Sequence, residues 1–147
     1  MPATNTIDQI QHEIIEEFSV LGEDRESTLF YIMELGQKLP PLEDAFRTDD
    51  NIIRGCQSKA WLTTAVEDGD RIVYRADSNT DITKGLIAML IRVLSGQRAR
   101  EIAAADLYFI ERIGMGRIIG AQRSNGLSSM IKQMKLYALA YHTKISS

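Results

Sequence analysis

The segment SKAWLTTAVEDGDRIVYRADS, residues 58–78, predicts a β-hairpin. It is rich in β-branched and aromatic residues, which favour strands. Asp68-Gly69 lies at its centre, and this dipeptide between two such runs is a strong hairpin signal. We take Ile52 and Ile53 as a candidate third strand. The sequence therefore predicts a small antiparallel sheet over about residues 51–77.

Apolar residues on both sides of the hairpin recur at the three- and four-residue steps of helices. Pro40-Pro41 ends one such segment and Gly96 ends another. Residues 40–50, between the second predicted helix and the sheet, have the composition of a loop with a possible short helical turn. Helices are predicted at about 7–21, 25–38, 81–95 and 100–112, and from about Ser124 onward. The expected fold class is α+β, a small antiparallel β-sheet of about three strands covered on one side by several α-helices, as a single domain over residues 1–147.

Composition narrows the function classes. Hydrophobic residues make up 44% of the chain and charged residues 25%, as in ordinary soluble globular proteins. A net charge of -3 and the lack of a basic stripe with interleaved aromatics argue against nucleic-acid binding. No apolar run has membrane-spanning length, and the N-terminal sequence lacks the pattern of a signal peptide. The single cysteine cannot form an internal disulfide, so we expect a cytoplasmic protein.

That cysteine lies in NIIRGCQSKAW, residues 51–61. Gly55 permits a turn that other residues resist, and the nearby cations Arg54 and Lys59 favour the nucleophilic thiolate. The alternative is a buried, inert Cys56, because free cysteine is among the most buried residue types. No histidine is near in sequence to form a Cys–His pair. A thiol without its own catalytic machinery suits an acceptor of a group that another protein has activated.

Other motifs are weaker. His12 and His142 lie at opposite ends of the chain, and with one cysteine they argue against a metal site. The segment GMGRIIG, residues 114–120, is similar to a dinucleotide fingerprint. Its third glycine is one residue late and no strand precedes it, so a turn between two helices explains it better.

Four blocks of sequence resemble the SufE family, and together they place the resemblance over about residues 25–140. The order and spacing of four blocks make this match more specific than any one short motif. The blocks are YIMELGQKLP (31–40), NIIRGCQSKAW (51–61), DS with I and KGLIA (77–88), and RSNGL with Met130 (123–130).

The resemblance implies a role in iron–sulfur cluster assembly. Members of this family accept sulfur from cysteine desulfurases, so Cys56 would take the persulfide sulfur of a SufS-like or CsdA-like partner, stimulate that enzyme and pass the sulfur to a cluster scaffold complex. The pyridoxal phosphate belongs to the desulfurase, and this chain would need no cofactor or metal of its own. It would act as an accessory protein more than as an independent enzyme.

Five further residues are assigned supporting or partner-binding roles beside Cys56: Gly55, Gln57, Ser58, Asp77 and Arg123. Gln57 could donate a hydrogen bond to the sulfur or stabilise the loop. Ser124 has the character of a helix N-cap, and a cation beside it could stabilise a thiolate or persulfide, or pair with the partner. Alternatively, Arg123 fixes a loop by bonding to Asp77 or a carbonyl. Trp61 is expected to serve packing.

Two positions depart from the family pattern. Asn79 stands where an acidic residue is frequent, which puts in doubt any polar network that relied on that acid. The segment IIGAQ, residues 118–122, lacks the proline that tends to precede Arg123 in the family, so the entrance to the last helix should differ in rigidity.

Three other functions stay open. A stand-alone thiol-dependent enzyme would be active without a partner. A cluster scaffold would need more thiolates than one cysteine supplies, since clusters are held by about four ligands. A non-catalytic interaction module would keep Cys56 in the core. We further expect Cys56 to be only partly exposed, because Ile52, Ile53 and Trp61 place apolar side chains around a polar tip.

Overall fold

The computed structural model describes residues 5–22, 24–55 and 59–146. The first helix begins with a capping box between Thr6 and Gln9, and Asp24 caps the second. The helices are α1 (Ile7–Ser19), α2 (Arg25–Gln37), α3 (Asp81–Leu94), α4 (Ala99–Ala104), α5 (Phe109–Ile113) and α6 (Met115–Ser146). The strands are β1 (Ala60–Glu67), β2 (Arg71–Ser78) and β3 (Gln97–Arg98), and short 3-10 turns occupy Asp44–Phe46 and Asp49–Asn51. The α+β class is confirmed.

The hairpin forms where the sequence predicts it. Strands β1 and β2 pair antiparallel from Ala60 opposite Ser78 to Glu67 opposite Arg71. The turn between them uses left-handed backbone at Asp68 (φ 51°) and Gly69 (φ 86°). Asp and Gly are among the residues that tolerate this conformation best, which explains the strength of the signal.

The third strand differs from the prediction. The sheet has three strands in the order β1-β2-β3, and its third member is the two-residue β3, which pairs with the start of β2. Ile52 forms only an isolated antiparallel bridge with Trp61. Gly96 (φ 85°) turns the chain after α3, and its N–H donates to the Ile72 carbonyl at 2.7 Å. This turn brings β3 to the free side of β2.

The helices cover one face of the sheet, as predicted. Side chains of Leu62, Ile72, Tyr74 and Ala76 point to that face and are buried. The Tyr74 hydroxyl donates to the Met134 carbonyl of α6 at 2.6 Å, so α6 is tied directly to the central strand. No helix within the described ranges combines the length and the apolar character needed to cross a bilayer.

The predicted helix at 100–112 is divided into α4 and α5. Gln11 of α1, fully buried, explains the interruption. Its side-chain N–H donates to the Asp106 carbonyl and its oxygen accepts from the Phe109 N–H, both at 3.1 Å. Because these backbone groups are satisfied by Gln11, the chain between the helices can be non-helical at little cost.

The last helix begins earlier than predicted. Helix α6 starts at Met115 and is broken at Gly120, whose φ is positive (φ 86°, ψ 169°), before continuing from residue 121. Ser124 therefore lies inside the helix and is not an N-cap, contrary to expectation. Glycine adopts the positive φ at this break readily because it has no Cβ. The helical turn of residues 115–119 lies between Gly120 and Gly114, which also has a positive φ. Within the segment 114–120, Gly114 thus ends α5, residues 115–119 form a helical turn, and Gly120 breaks α6.

Candidate functional site

The segment around the cysteine begins and ends on the sheet. Ile53 donates its N–H to the Ala60 carbonyl at 2.8 Å, beside the bridge between Ile52 and Trp61. We call these four residues the loop stem. They hold the two ends of residues 54–59 at neighbouring backbone positions. Cys56, Gln57 and Ser58 lie outside the described residues, so their roles, and the partial exposure expected of Cys56, stay predictions.

A second tie closes the segment from the β2 side. The Lys59 N–H donates to the Asn79 side-chain oxygen at 3.1 Å, and the Asn79 N–H donates to the Lys59 carbonyl at 3.2 Å. The Ser78 hydroxyl donates to the same carbonyl at 2.7 Å. The amide oxygen of Asn79 therefore supplies an acceptor for the Lys59 N–H in this chain.

Gly55 packs the other end of the segment against α6. Its φ of 93° lies in a region that side chains disfavour, and a Cβ built on it would lie 2.5 Å from the Ser129 hydroxyl. The positive φ favours glycine, and a side chain here would also force the Ser129 hydroxyl to move. Arg54, Gly55 and Lys59 are exposed, so the two cations next to the cysteine are at the surface.

Asp77 is a buried carboxylate near the stem, only 1% exposed, with several polar partners. It accepts hydrogen bonds from the N–H groups of Leu42 at 3.0 Å and Ser78 at 2.8 Å. It also pairs closely with Arg47, and the Lys84 Nζ lies 3.8 Å away. Burial opposes ionisation, but these hydrogen bonds and the positive charge of Arg47 outweigh it and lower the pKa of Asp77 below its usual value.

Arg47 links Asp77 to Trp61 of the stem. It donates to the Leu42 carbonyl at 3.2 Å, and its guanidinium lies 5.2 Å from the centre of the Trp61 ring. Trp61 is buried, which confirms the packing role expected of it. Asp77 thus contacts Leu42 and Arg47, and Arg47 reaches Trp61 of the stem. The burial of Asp77 leaves little surface for direct contact with a partner, and its supporting role stays a prediction.

Arg123 forms neither an ion pair nor a hydrogen bond with Asp77. It is exposed in the first turn after the break at Gly120. The charged partners of Asp77 are Arg47 and Lys84, so the expectation that Arg123 fixes a loop through Asp77 is wrong. Within the described ranges Arg123 makes no ion pair, and its predicted part in anion or partner binding stays a prediction.

Sequence reasoning missed Arg47 and the structural use of Asn79. Both act over long sequence separations, 30 residues from Arg47 to Asp77 and 20 from Asn79 to Lys59. The sequence marked these two residues only by their position close to blocks that resemble the family. Among the residues that the structure describes, no group of three or more His, Cys, Asp or Glu side chains could hold a metal ion. That the chain needs no metal or cofactor of its own stays an expectation.

Comparison with known proteins relates this chain to one family. The model of the SufE family, described as an Fe-S metabolism associated domain, matches residues 12–138. An uncharacterised SufE-like protein of Rhizobium etli is 39% identical over 128 residues, covering 84% of this chain and 85% of the relative. The cysteine desulfuration protein SufE of Wigglesworthia glossinidia brevipalpis is 34% identical over 114 residues, covering 77% and 79%.

A solved structure has the same fold. The solution structure of a hypothetical protein from Thermus thermophilus superposes with a TM-score of 0.74, covering 91% of this chain and 96% of the other, at 16% identity. At that identity the likeness concerns the fold alone. The family model and the sequence relatives carry the assignment further, and they confirm the resemblance seen in the four blocks: the chain belongs to the SufE family.

Proposed function

We propose that this chain is a sulfur acceptor and carrier for a cysteine desulfurase. Membership of a family associated with Fe-S metabolism supports the pathway. The name of the Wigglesworthia relative, a cysteine desulfuration protein, supports the type of partner. Cys56 is the only cysteine in the chain, so it is the only thiol that could receive sulfur.

The transfer is a thiol–persulfide exchange. The desulfurase, with its own pyridoxal phosphate, leaves sulfur from L-cysteine as a persulfide on its cysteine. The Cys56 thiolate attacks the terminal sulfur, a new S–S bond forms to Cys56, and the S–S bond on the desulfurase breaks. The desulfurase thiolate is the leaving group, and no external oxidant is needed. Removing the persulfide frees the enzyme for its next turnover, which accounts for stimulation.

One observation carries the proposal: the segment that holds Cys56 is tied at both ends and flanked by exposed cations. The stem and the Lys59–Asn79 bonds fix where the segment starts and ends. Arg54 and Lys59 are exposed and lie on either side of the thiol in sequence. Nearby positive charge lowers a thiol pKa and raises the thiolate fraction that does the attack.

The partners follow from this role. A SufS-like or CsdA-like desulfurase would supply the sulfur, and an iron–sulfur scaffold complex in the cytoplasm would receive it. The chain would work as an accessory protein and activator without a cofactor of its own.

Intact-mass spectrometry tests the proposal. The protein is mixed with a SufS-like desulfurase and L-cysteine without reductant, then with a CsdA-like one. We expect a gain of one sulfur atom that dithiothreitol reverses and that Cys56→Ser abolishes. No gain with either enzyme, together with a native thiol that stays inert to alkylation, would return Cys56 to a structural role.

A further inference from the structure

A cleft in the helical layer, away from the loop stem, is lined by three arginines. Its walls come from α1, the start of α2, α5 and the start of α6, and its volume is about 530 Å³. The arginines are Arg25, Arg112 and Arg117. None of the described residues that line the cleft is acidic, and none of the three arginines forms an ion pair within residues 5–22, 24–55 and 59–146.

Two of these arginines are positioned by the turn between α5 and α6. Gly114 ends α5 with a left-handed backbone (φ 79°), and Arg112 and Arg117, on either side of it in sequence, both line the cleft. The Arg117 guanidinium lies so close to Gly114 that a Cβ there would be 2.7 Å from it. Arg112 stacks over the Tyr108 ring, 4.9 Å from its centre. Arg25, the first residue of α2, supplies the third charge.

The rest of the lining is apolar or already bonded. Four apolar residues also line the cleft: Ile15, Phe18, Ile113 and Ile118. The Ser19 hydroxyl donates to the Glu16 carbonyl at 2.7 Å, and the Thr28 hydroxyl donates to the Asp24 carbonyl at 2.9 Å. The guanidinium groups are therefore the side-chain donors left to bind a polar group of a ligand in the cleft.

We propose that this cleft binds a small organic anion through a phosphate or carboxylate group. A guanidinium presents a rigid fork of donors that matches either oxyanion, and several together favour it further. The volume lies in the range of small-molecule sites, and the apolar walls suit an alkyl or aryl portion of the ligand. The site shares no residue with the loop stem, so it does not depend on sulfur transfer.

Titration by two-dimensional ¹H–¹⁵N NMR tests this site. Inorganic phosphate, phenyl phosphate and benzoate are added to the full chain at constant ionic strength maintained with chloride. We expect saturable shifts of the Gly22, Thr28 and Gly114 amides, with phenyl phosphate binding several-fold tighter than inorganic phosphate. Arg117→Gln and Arg112→Gln should each weaken binding by roughly two- to fivefold, the range for exposed ion pairs.

The controls separate this site from the rest of the surface. Arg100→Gln, an exposed arginine of α4 outside the cleft, should bind like the wild type, and so should Cys56→Ser. Shifts that never saturate, or that occur equally at all surface arginines, would overturn the proposal. So would wild-type binding by the Arg112→Gln/Arg117→Gln double variant. A protein that accepts sulfur but fails this titration would refute the cleft and leave the proposed function standing.

Discussion

Asn79 and Lys59 bond to each other twice across the base of the acceptor segment. The side-chain oxygen of Asn79 accepts from the Lys59 N–H at 3.1 Å, and the Asn79 N–H donates to the Lys59 carbonyl at 3.2 Å. The two residues are 20 apart in sequence, so the contact fixes one end of the cysteine segment to the end of β2. An acceptor oxygen is what the position uses, and an aspartate would supply one as well.

Two substitutions at Asn79 should test whether an acceptor oxygen at this position stabilises the protein. Asn79→Asp keeps the acceptor and should leave the free energy of unfolding within about 0.5 kcal/mol of the wild type. Asn79→Ala removes it and should cost about 0.5–1.5 kcal/mol, the net value of one hydrogen bond. Urea denaturation measures both, and the rate of sulfur acceptance should fall in the alanine variant only. Equal stability of the two variants would contradict the tie.

Asp77→Asn should destabilise the fold more. The carboxylate is buried, accepts from two backbone N–H groups and pairs with Arg47, and an amide cannot replace all of these bonds. We expect a loss of about 1–3 kcal/mol in urea denaturation. Asp70→Asn is the matched control, because the Asp70–Arg98 pair is exposed and should contribute at most about 1 kcal/mol. Equal losses of unfolding free energy in the two variants would show that Asp77 contributes no more to stability than an exposed ion pair.

The same carboxyl should make stability depend on acid pH. The pKa of Asp77 is lowered in the folded state, so its contribution is complete above the unfolded value of about 3.9 and is lost as the pH falls through the folded value. Urea denaturation at pH 7, 5, 4 and 3 should show the stability difference between wild type and Asp77→Asn shrinking below about pH 4. A difference that stays constant to pH 3 would argue that Asp77 titrates as in an unfolded chain.

Local signals account for the parts of the fold that the sequence predicted. Asp68-Gly69 predicts the hairpin because the turn needs left-handed backbone at both positions. Strand β3 had no such signal, since two residues show no periodicity and its pairing with β2 joins residues far apart in the chain. The start of the last helix was wrongly placed at Ser124 because serine favours N-caps, whereas Gly120 breaks the helix by backbone geometry alone.

The sequence likewise indicated some residues of the candidate site and missed others. The cysteine block and Asp77 stood out by type and by resemblance. The use of Arg47 did not, because the 40–47 segment has no periodic pattern and its contact with Asp77 depends on how the loop folds back. A single sequence carries little information on such a long-range bond.

A side chain at Gly55 should destabilise the protein. Gly55→Ala would place a Cβ 2.5 Å from the Ser129 hydroxyl on a backbone with φ 93°, and we expect a loss of about 1–3 kcal/mol in urea denaturation with slower sulfur acceptance. Adding Ser129→Ala relieves the contact but not the backbone conformation, so it should restore only part of the loss. Gly22→Ala, left-handed with no atom near a Cβ, measures the conformational part alone. Full rescue by Ser129→Ala would show that the backbone at Gly55 is free to change.

Arg123 separates partner binding from stability. It is exposed and makes no ion pair within the described ranges, so Arg123→Gln should change the free energy of unfolding by no more than about 0.5 kcal/mol. If it pairs with the desulfurase or with the persulfide anion, the variant should still accept sulfur but more slowly, and raising the salt concentration should narrow its deficit, since exposed charges are screened. Desulfurase assays across salt concentrations measure this, with Arg100→Gln, at an exposed position of α4, as the control. An Arg123→Gln variant as fast as the control at low salt would leave Arg123 a plain surface residue.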